Sequence, residues 1–329
     1  MTRRLAAVVG VLTLLAAACS DGSPAATRES APATTSEPRP PTSASTSATT
    51  VAPVAGRPYE VIRTTATYVD PTRITPAGAQ TEELPSRTLD VWIDRPDTTV
   101  PRPLVIFAHG LTGHPRSHEL LREKLAAEGF VVVAPAFPLT NNDVPGAFAN
   151  AGDTGEQVND VSFLIDAVLA DPELGPNIDG ARIGMIGHSL GGITTAGAAL
   201  SASGDPRISA AVVISAGYGQ ARDDVAVMTV HGDADRIVPY TSSELSYRLL
   251  TGRRIFVTLV GGTHLTGILD DDSDLGVALR GLAAAFFAVE LGVEDGQAAA
   301  IDGLPLDSVV IEAGTASGPL ADWRDYFTS

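Results

Sequence analysis

Several things that would fix the class of a chain from outside its core are scarce in this one. There is a single cysteine, Cys19, so no intrachain disulfide staples the fold and no cysteine-built metal site exists. There is a single lysine, Lys124, and 22 basic residues face 39 acidic ones, for a formal net charge of −17. A surplus of that sign repels phosphate backbones and anionic lipid, which argues against nucleic acid as a partner and against attachment to a membrane by basic patches. The apolar run Leu5 to Ala18 is shorter than the ~20 residues that span a bilayer. Against these absences, 44% of the 329 residues are hydrophobic, enough for one large domain with a substantial core.

The apolar run follows Arg3 and Arg4 and leads into Leu14-Leu15-Ala16-Ala17-Ala18-Cys19. A positive start, a short apolar stretch and small residues form an export signal over 1–18, outside the fold. Small residues directly before a cysteine resemble a bacterial lipobox, in which the cysteine is lipidated and becomes the mature N-terminus. Ala16 departs from that pattern, so ordinary secretory cleavage is the alternative to an anchor on Cys19 at the outer face of the cell membrane. Residues 19–57 are rich in Ser, Thr, Pro and Ala and carry almost no large apolar side chain, the composition of a disordered tether.

The fold is expected over 58–329. Tyr59 to Val69 and Arg87 to Ile93 are β-branched and aromatic, as antiparallel edge strands are. Beyond them come short apolar runs: Leu104–Ala108, Phe130–Ala134, Arg182–Ile186, Ala211–Ser215, Ala226–Val230 and Ile255–Val260. Nearly continuous runs of this kind suit strands covered on both faces. Helical stretches lie between several of them, at His118–Glu128, Gln157–Ala170, Ile193–Ala202 and Ser242–Leu250. Alternation of this sort predicts an α/β fold, a mostly parallel central sheet with helices on both sides. Leu275–Leu291 predicts a closing amphipathic helix, and Ser308–Glu312 either a further strand or an extended arm.

The chemistry sits at the ends of these runs. Gly187-His188-Ser189-Leu190-Gly191 stands between a strand and a small-residue helix, the pattern of a nucleophile elbow. Glycines on either side leave room for a turn sharp enough to project the Ser189 hydroxyl. A serine hydroxyl is a weak nucleophile and needs a base with an orienting acid. In this arrangement they follow in the order Ser, acid, His, each after a strand. His264, after the run Ile255–Val260, is the candidate base. The turn His231-Gly-Asp233-Ala-Asp235 offers two acids; Asp235 before Ile-Val-Pro is preferred, and Asp233 is read as a turn cap. His188 and His231 flank these groups and are expected to shape the site. The N–H groups of Leu190 and of Leu111, in the loop His109-Gly110-Leu111-Thr112-Gly113-His114, are the candidate oxyanion donors. His114 and His118 have zinc-like spacing but no third ligand, and Asp270–Asp274 lacks the glycine and glutamate of a calcium loop, so no metal is expected.

Six blocks in this order, PLVIFAHGLTG, LAAEGFVVVAPAFP, VNDVSFLIDAVL, RIGMIGHSLGG, HGDADRIVP and GGTH, resemble an α/β-hydrolase of the dienelactone-hydrolase-like group. That group borders platelet-activating-factor acetylhydrolases, chlorophyllases and bacterial polyesterases. The resemblance implies a secreted esterase that acts through an acyl-enzyme and needs no cofactor. Ser189 departs from the cysteine nucleophile of true dienelactone hydrolases, and the lone cysteine departs from the disulfide of many polyesterases. The stretch where such folds insert a cap, Ala216–Val225, is too short for one, so an open groove is expected. Phe137, Leu139, Phe148 and Tyr218 are its expected lining, and the expected partner is an ester, small or presented by lipid or polymer. Two alternatives remain at this stage: acyl transfer to an envelope alcohol by the same triad, and a non-catalytic lipoprotein binding module.

Overall fold

The computed structural model describes residues 49–51, 59–219, 222–269, 272–293 and 301–328. The export signal, Cys19 and most of the expected tether lie outside the described residues. Strands β1 (Thr49–Val51), β2 (Val61–Asp70) and β3 (Arg87–Pro96) come first, then β4 (Arg102–Ala108), helix α1 (Glu119–Ala127) and β5 (Val131–Ala136). Helix α2 (Thr154–Ala170), β6 (Ile178–His188), α3 (Leu190–Thr195) and β7 (Ile208–Ile214) follow. The chain continues through β8 (Ala226–Gly232), α4 (Tyr240–Leu249), β9 (Arg254–Leu259), α5 (Asp274–Glu290), β10 (Val309–Thr315), β11 (Gly318–Pro319) and α6 (Asp325–Thr328).

All described strands join one sheet in the order β1-β2-β3-β5-β4-β6-β7-β8-β9-β10-β11. From β5 to β9 every pairing is parallel, and the outer pairings are antiparallel. This is the mostly parallel central sheet expected from the alternation of runs. One departure lies inside the stretch expected to be tether. Thr49–Val51 pairs antiparallel with Val61–Arg63 along the otherwise open edge of β2. A second concerns the end of the chain. Val309–Gly314 pairs antiparallel along the whole of β9, so the strand alternative holds there.

The pleat explains why the central runs are apolar at every position. Along β4, Leu104, Ile106 and Ala108 face the side covered by α2 and α3, while Val105 and Phe107 face the side covered by α1 and α5. α5 carries the densest packing, with Phe286 and Phe287 fully buried and Phe287 seated against Gly184 of β6. The C-terminal Tyr326 and Phe327 join the same cluster. By contrast, β3 is tied to α2 by charge. Arg87 is fully buried, with Nη2 2.7 Å from Asp153 Oδ2 and Nε 2.7 Å from Asp160 Oδ1.

Candidate active site

The elbow is built by steric demand. β6 ends at His188, α3 starts at Leu190, and Ser189 between them holds φ 54° and ψ −118°. Only a turn this tight changes strand to helix in one residue, and a serine there stores strain of about 1–3 kcal/mol. The glycines are obligatory. A Cβ on Gly187 would lie 2.2 Å from the carbonyl oxygen of Gly191, and one on Gly191 would lie 2.1 Å from that of Ala108. Ser189 N–H donates to Ile214 O of β7 over 2.9 Å, which fixes the elbow against the next strand.

The structure brings Ser189, His264 and Asp235 into one hydrogen-bonded line. His264 Nδ1 is 2.7 Å from Asp235 Oδ2, and His264 Nε2 is 2.9 Å from Ser189 Oγ. A carboxylate only accepts, so Nδ1 carries the proton and the lone pair of Nε2 is left for the serine hydroxyl. Asp235 is the acid that reaches His264. Asp233 instead accepts from Gly261 N–H over 2.6 Å, as a turn cap does. The Asp235 side chain is fully buried. Burial alone would raise its pKa. Hydrogen bonds from His231 and His264, and from the N–H groups of Ile237 and Val238, overcome this and hold it well below the usual carboxylate range.

The acid and base loops are stitched together. Asp233 N–H donates to Leu259 O, Ala234 N–H to Gly262 O and Gly262 N–H to Leu259 O. Gly232 packs so closely that a Cβ there would lie 2.2 Å from Gly262 O. Two further histidines hold the base loop from outside. His188 Nε2 is 2.8 Å from His264 O, and His118 Nδ1 is 2.7 Å from Ile268 O. Burial pushes the pKa of His188 down to about 3, so it is a neutral brace.

The loop after β4 lies beside the nucleophile, since a Cβ on Gly110 would be 3.4 Å from Ser189 Cβ. It is held by Gly113 N–H to Gly110 O, Thr112 N–H to Thr140 O and Asn142 N–H to Gly113 O. His109 braces it from beneath, accepting from Phe137 N–H at Nε2 over 3.1 Å, with its pKa pushed by burial to about 3. The N–H groups of Leu111 and Leu190 take no part in these bonds, and that of Leu190 is the first of α3, where the helix leaves it free.

The expected groove lining is corrected in part. Phe137 is fully buried, with its ring 5.2 Å from that of His109, so it supports the loop from within and adds no exposed surface to a groove. Leu139 is buried against the Gly78 turn. Tyr218 turns its hydroxyl inward, 2.6 Å from Thr229 Oγ1 of β8. Phe148 is exposed, as are Ile237, beside Asp235, and Leu265, beside His264. Sequence reasoning passed over these last two, although each adjoins a residue it had singled out. A cavity of about 400 Å³ lies elsewhere, where Tyr247, Arg254, Glu312 and Trp323 line the β9–β10 edge, and it contains none of these groups.

Among the described residues no three His, Cys, Asp or Glu side chains converge as metal ligands do. His114 Nδ1 accepts from Arg116 N–H, and its ring meets that of Trp92 edge-on at 4.6 Å. No helix among the described residues is long and apolar enough to cross a membrane.

Comparison with known proteins places this geometry in context. Residues 105–328 match the family described as "Alpha/beta hydrolase family". No curated protein matches the sequence. Among solved structures, a ferulic acid esterase from Streptomyces cinnamoneus superposes with a TM-score of 0.62 at 18% identity, over 79% of this chain and 98% of its own. At that identity the likeness concerns the fold.

Proposed function

The chain belongs to the alpha/beta hydrolase family, and on that footing we propose that it is a serine hydrolase cleaving carboxylic esters through an acyl-enzyme. The observation that carries this reading is the line Asp235–His264–Ser189, with contacts of 2.7 and 2.9 Å. Ser189 Oγ attacks the ester carbonyl while its proton passes to His264 Nε2. Asp235 holds the imidazole tautomer and stabilises the imidazolium. The N–H groups of Leu111 and Leu190 receive the oxyanion, a contribution of about 3–4 kcal/mol for each such donor in comparable sites. His264 then protonates the leaving alcohol, and water, activated by the same base, releases the acid.

The finer reading keeps the dienelactone-hydrolase-like group, with a serine in place of cysteine and no cap over the site. The exposed Ile237, Leu265 and Phe148 suit an apolar ester better than a charged one. The same proposal includes export and anchoring through a lipidated Cys19. Mass spectrometry of the mature N-terminus checks that part, with the modification expected on Cys19 and lost in Cys19→Ala.

Hydrolysis of p-nitrophenyl esters from acetate to palmitate, with methyl ferulate beside them, tests the activity. Wild type should turn over at least one of them, and Ser189→Ala should fall by roughly 10⁴–10⁶-fold. A folded wild type that neither hydrolyses these esters nor reacts with a fluorophosphonate probe would overturn the esterase reading and favour the binding module.

A further inference from the structure

One buried group close to the line of three has no role in the mechanism just given. His231 is fully buried at the end of β8. Its Nε2 is 3.0 Å from Asp235 Oδ2, the same oxygen that meets His264 Nδ1 at 2.7 Å. Nε2 also lies 3.1 Å from Val238 O. Both neighbours of Nε2 are acceptors, so this nitrogen carries a proton. The other edge of the ring is closed by Ser243 of α4, whose Oγ is 2.7 Å from Nδ1 and 2.8 Å from Ala216 O. The Asp235 carboxylate therefore has every lone-pair site engaged. Oδ1 accepts from Ile237 N–H at 2.7 Å and Val238 N–H at 3.0 Å, and Oδ2 accepts from two imidazoles.

We propose that His231 is a positioning residue for the reaction, holding Asp235 through Nε2–H and setting how strongly that carboxylate draws the proton on His264 Nδ1. The inference rests on the esterase reading for its kinetic consequence, but not for its geometry. A carboxylate that shares one oxygen between two N–H donors offers each of them less negative charge. Without His231, Asp235 would be the stronger acceptor, His264 would hold its proton more tightly, and the base would become available only at higher pH. The groups facing this pair are few. His264 meets Asp235, Ser189 and the ring of His188, which stands 4.7 Å away. His231 meets Asp235, Ser243 and, from α4, the ring of Tyr240 at 5.7 Å. Asp233, the nearest other carboxylate in the turn, is turned to Gly261 N–H.

Ring-nitrogen NMR on the folded full chain decides the geometric part. The expected result is a slowly exchanging proton on His231 Nε2 whose signal, together with that of His264 Nδ1–H, moves in Asp235→Asn. An unprotonated Nε2, or one indifferent to Asp235→Asn, overturns the proposal whether or not any ester is hydrolysed. Kinetics decide the rest. With p-nitrophenyl acetate, His231→Leu should lose roughly ten- to a hundredfold in kcat/KM, the scale of a misplaced catalytic geometry. Its acid limb should move to higher pH. His231→Gln, which keeps an N–H, should recover most of both. Ser243→Ala, a small change on the far side of the ring, should move the acid limb the same way in a folded protein. Profiles that superimpose on wild type after scaling would reduce His231 to packing and overturn the proposal. A wild type that hydrolyses none of the esters above and does not react with the fluorophosphonate probe, yet still shows the shared oxygen by NMR, would instead refute the esterase reading alone.

Discussion

His188 Nε2 stands 2.8 Å from the main-chain oxygen of His264, and the two rings pack with centroids 4.7 Å apart. The residue before the nucleophile therefore holds the backbone of the base, and the elbow sets the position of both partners at once. His188→Ala should lower kcat for p-nitrophenyl acetate by roughly ten- to a hundredfold with KM nearly unchanged, because the loss falls on orientation. His188→Gln, which can still donate, should recover part of it. An equal fall in both variants would mean that the ring contact matters more than the hydrogen bond.

Ser189 supplies a second expectation, about stability. Its φ of 54° with ψ of −118° lies where glycine moves freely and other residues are strained. Ser189→Gly and Ser189→Ala should both be inactive. The glycine variant should nonetheless be the more stable of the two by about 1 kcal/mol in urea unfolding, because it alone relieves the strain. An alanine variant equal to or above the glycine variant would show that the elbow is relaxed.

Acid should destabilise the protein through its buried histidines. His109 and His188 have pKa values pushed by burial from 6.5 to about 3 in the folded state. Between those values the unfolded chain binds protons that the folded one refuses, so stability rises with pH across the window. Their contribution is full above about pH 6.5 and declines as the pH falls toward about 3. Asp235, held below the usual carboxylate range, acts in the same direction at lower pH: its contribution is present above the unfolded pKa and fades beneath it. Urea midpoints at pH 7, 5.5 and 4.5 should fall in that order, and less steeply in His109→Asn. A flat series would show that these rings are protonated without cost.

Arg87 gives the largest expected stability effect outside the core. It is fully buried between Asp153 and Asp160. Burial pushes the Asp153 pKa up, against the guanidinium that holds it down. Arg87→Leu would leave buried Asp153 without its cation and Asp160 with Arg73 alone, at 2.8 Å, which should cost about 3–5 kcal/mol in chemical unfolding. Arg87→Lys should fall between, since a point charge cannot match a fork. A loss below 1 kcal/mol would mean that water replaces the guanidinium.

Most of the sheet was legible because its runs are bounded by turn residues and apolar at every position. Each of the eight runs from Tyr59–Val69 to Ile255–Val260 overlaps a strand. Ser189, Asp235 and His264 could be singled out because each follows a strand at short, fixed spacing, and the structure brings the three side chains together. What stayed hidden depends on direction. The aromatic type of Phe137 and Tyr218 does not reveal that one packs under His109 and the other reaches inward to Thr229. A histidine four positions before an acid does not announce that its Nε2 shares a carboxylate oxygen with another imidazole. Thr49–Val51 was missed because its pairing is dictated by the open edge of β2 and not by its own Ser/Thr-rich surroundings.

The stitching of the acid and base loops sets where this scaffold can vary. Leu259 O and Gly262 O each receive an N–H from the acid turn, and Gly232 admits no side chain against Gly262. A residue inserted in either loop would break bonds that the other needs, so the two can change only in concert. Asp143–Ala149 carries no such obligation to the base, and its side chains are largely exposed. New ester preferences, whether arising by descent or by design, belong on that segment, with 231–238 and 259–266 inherited intact.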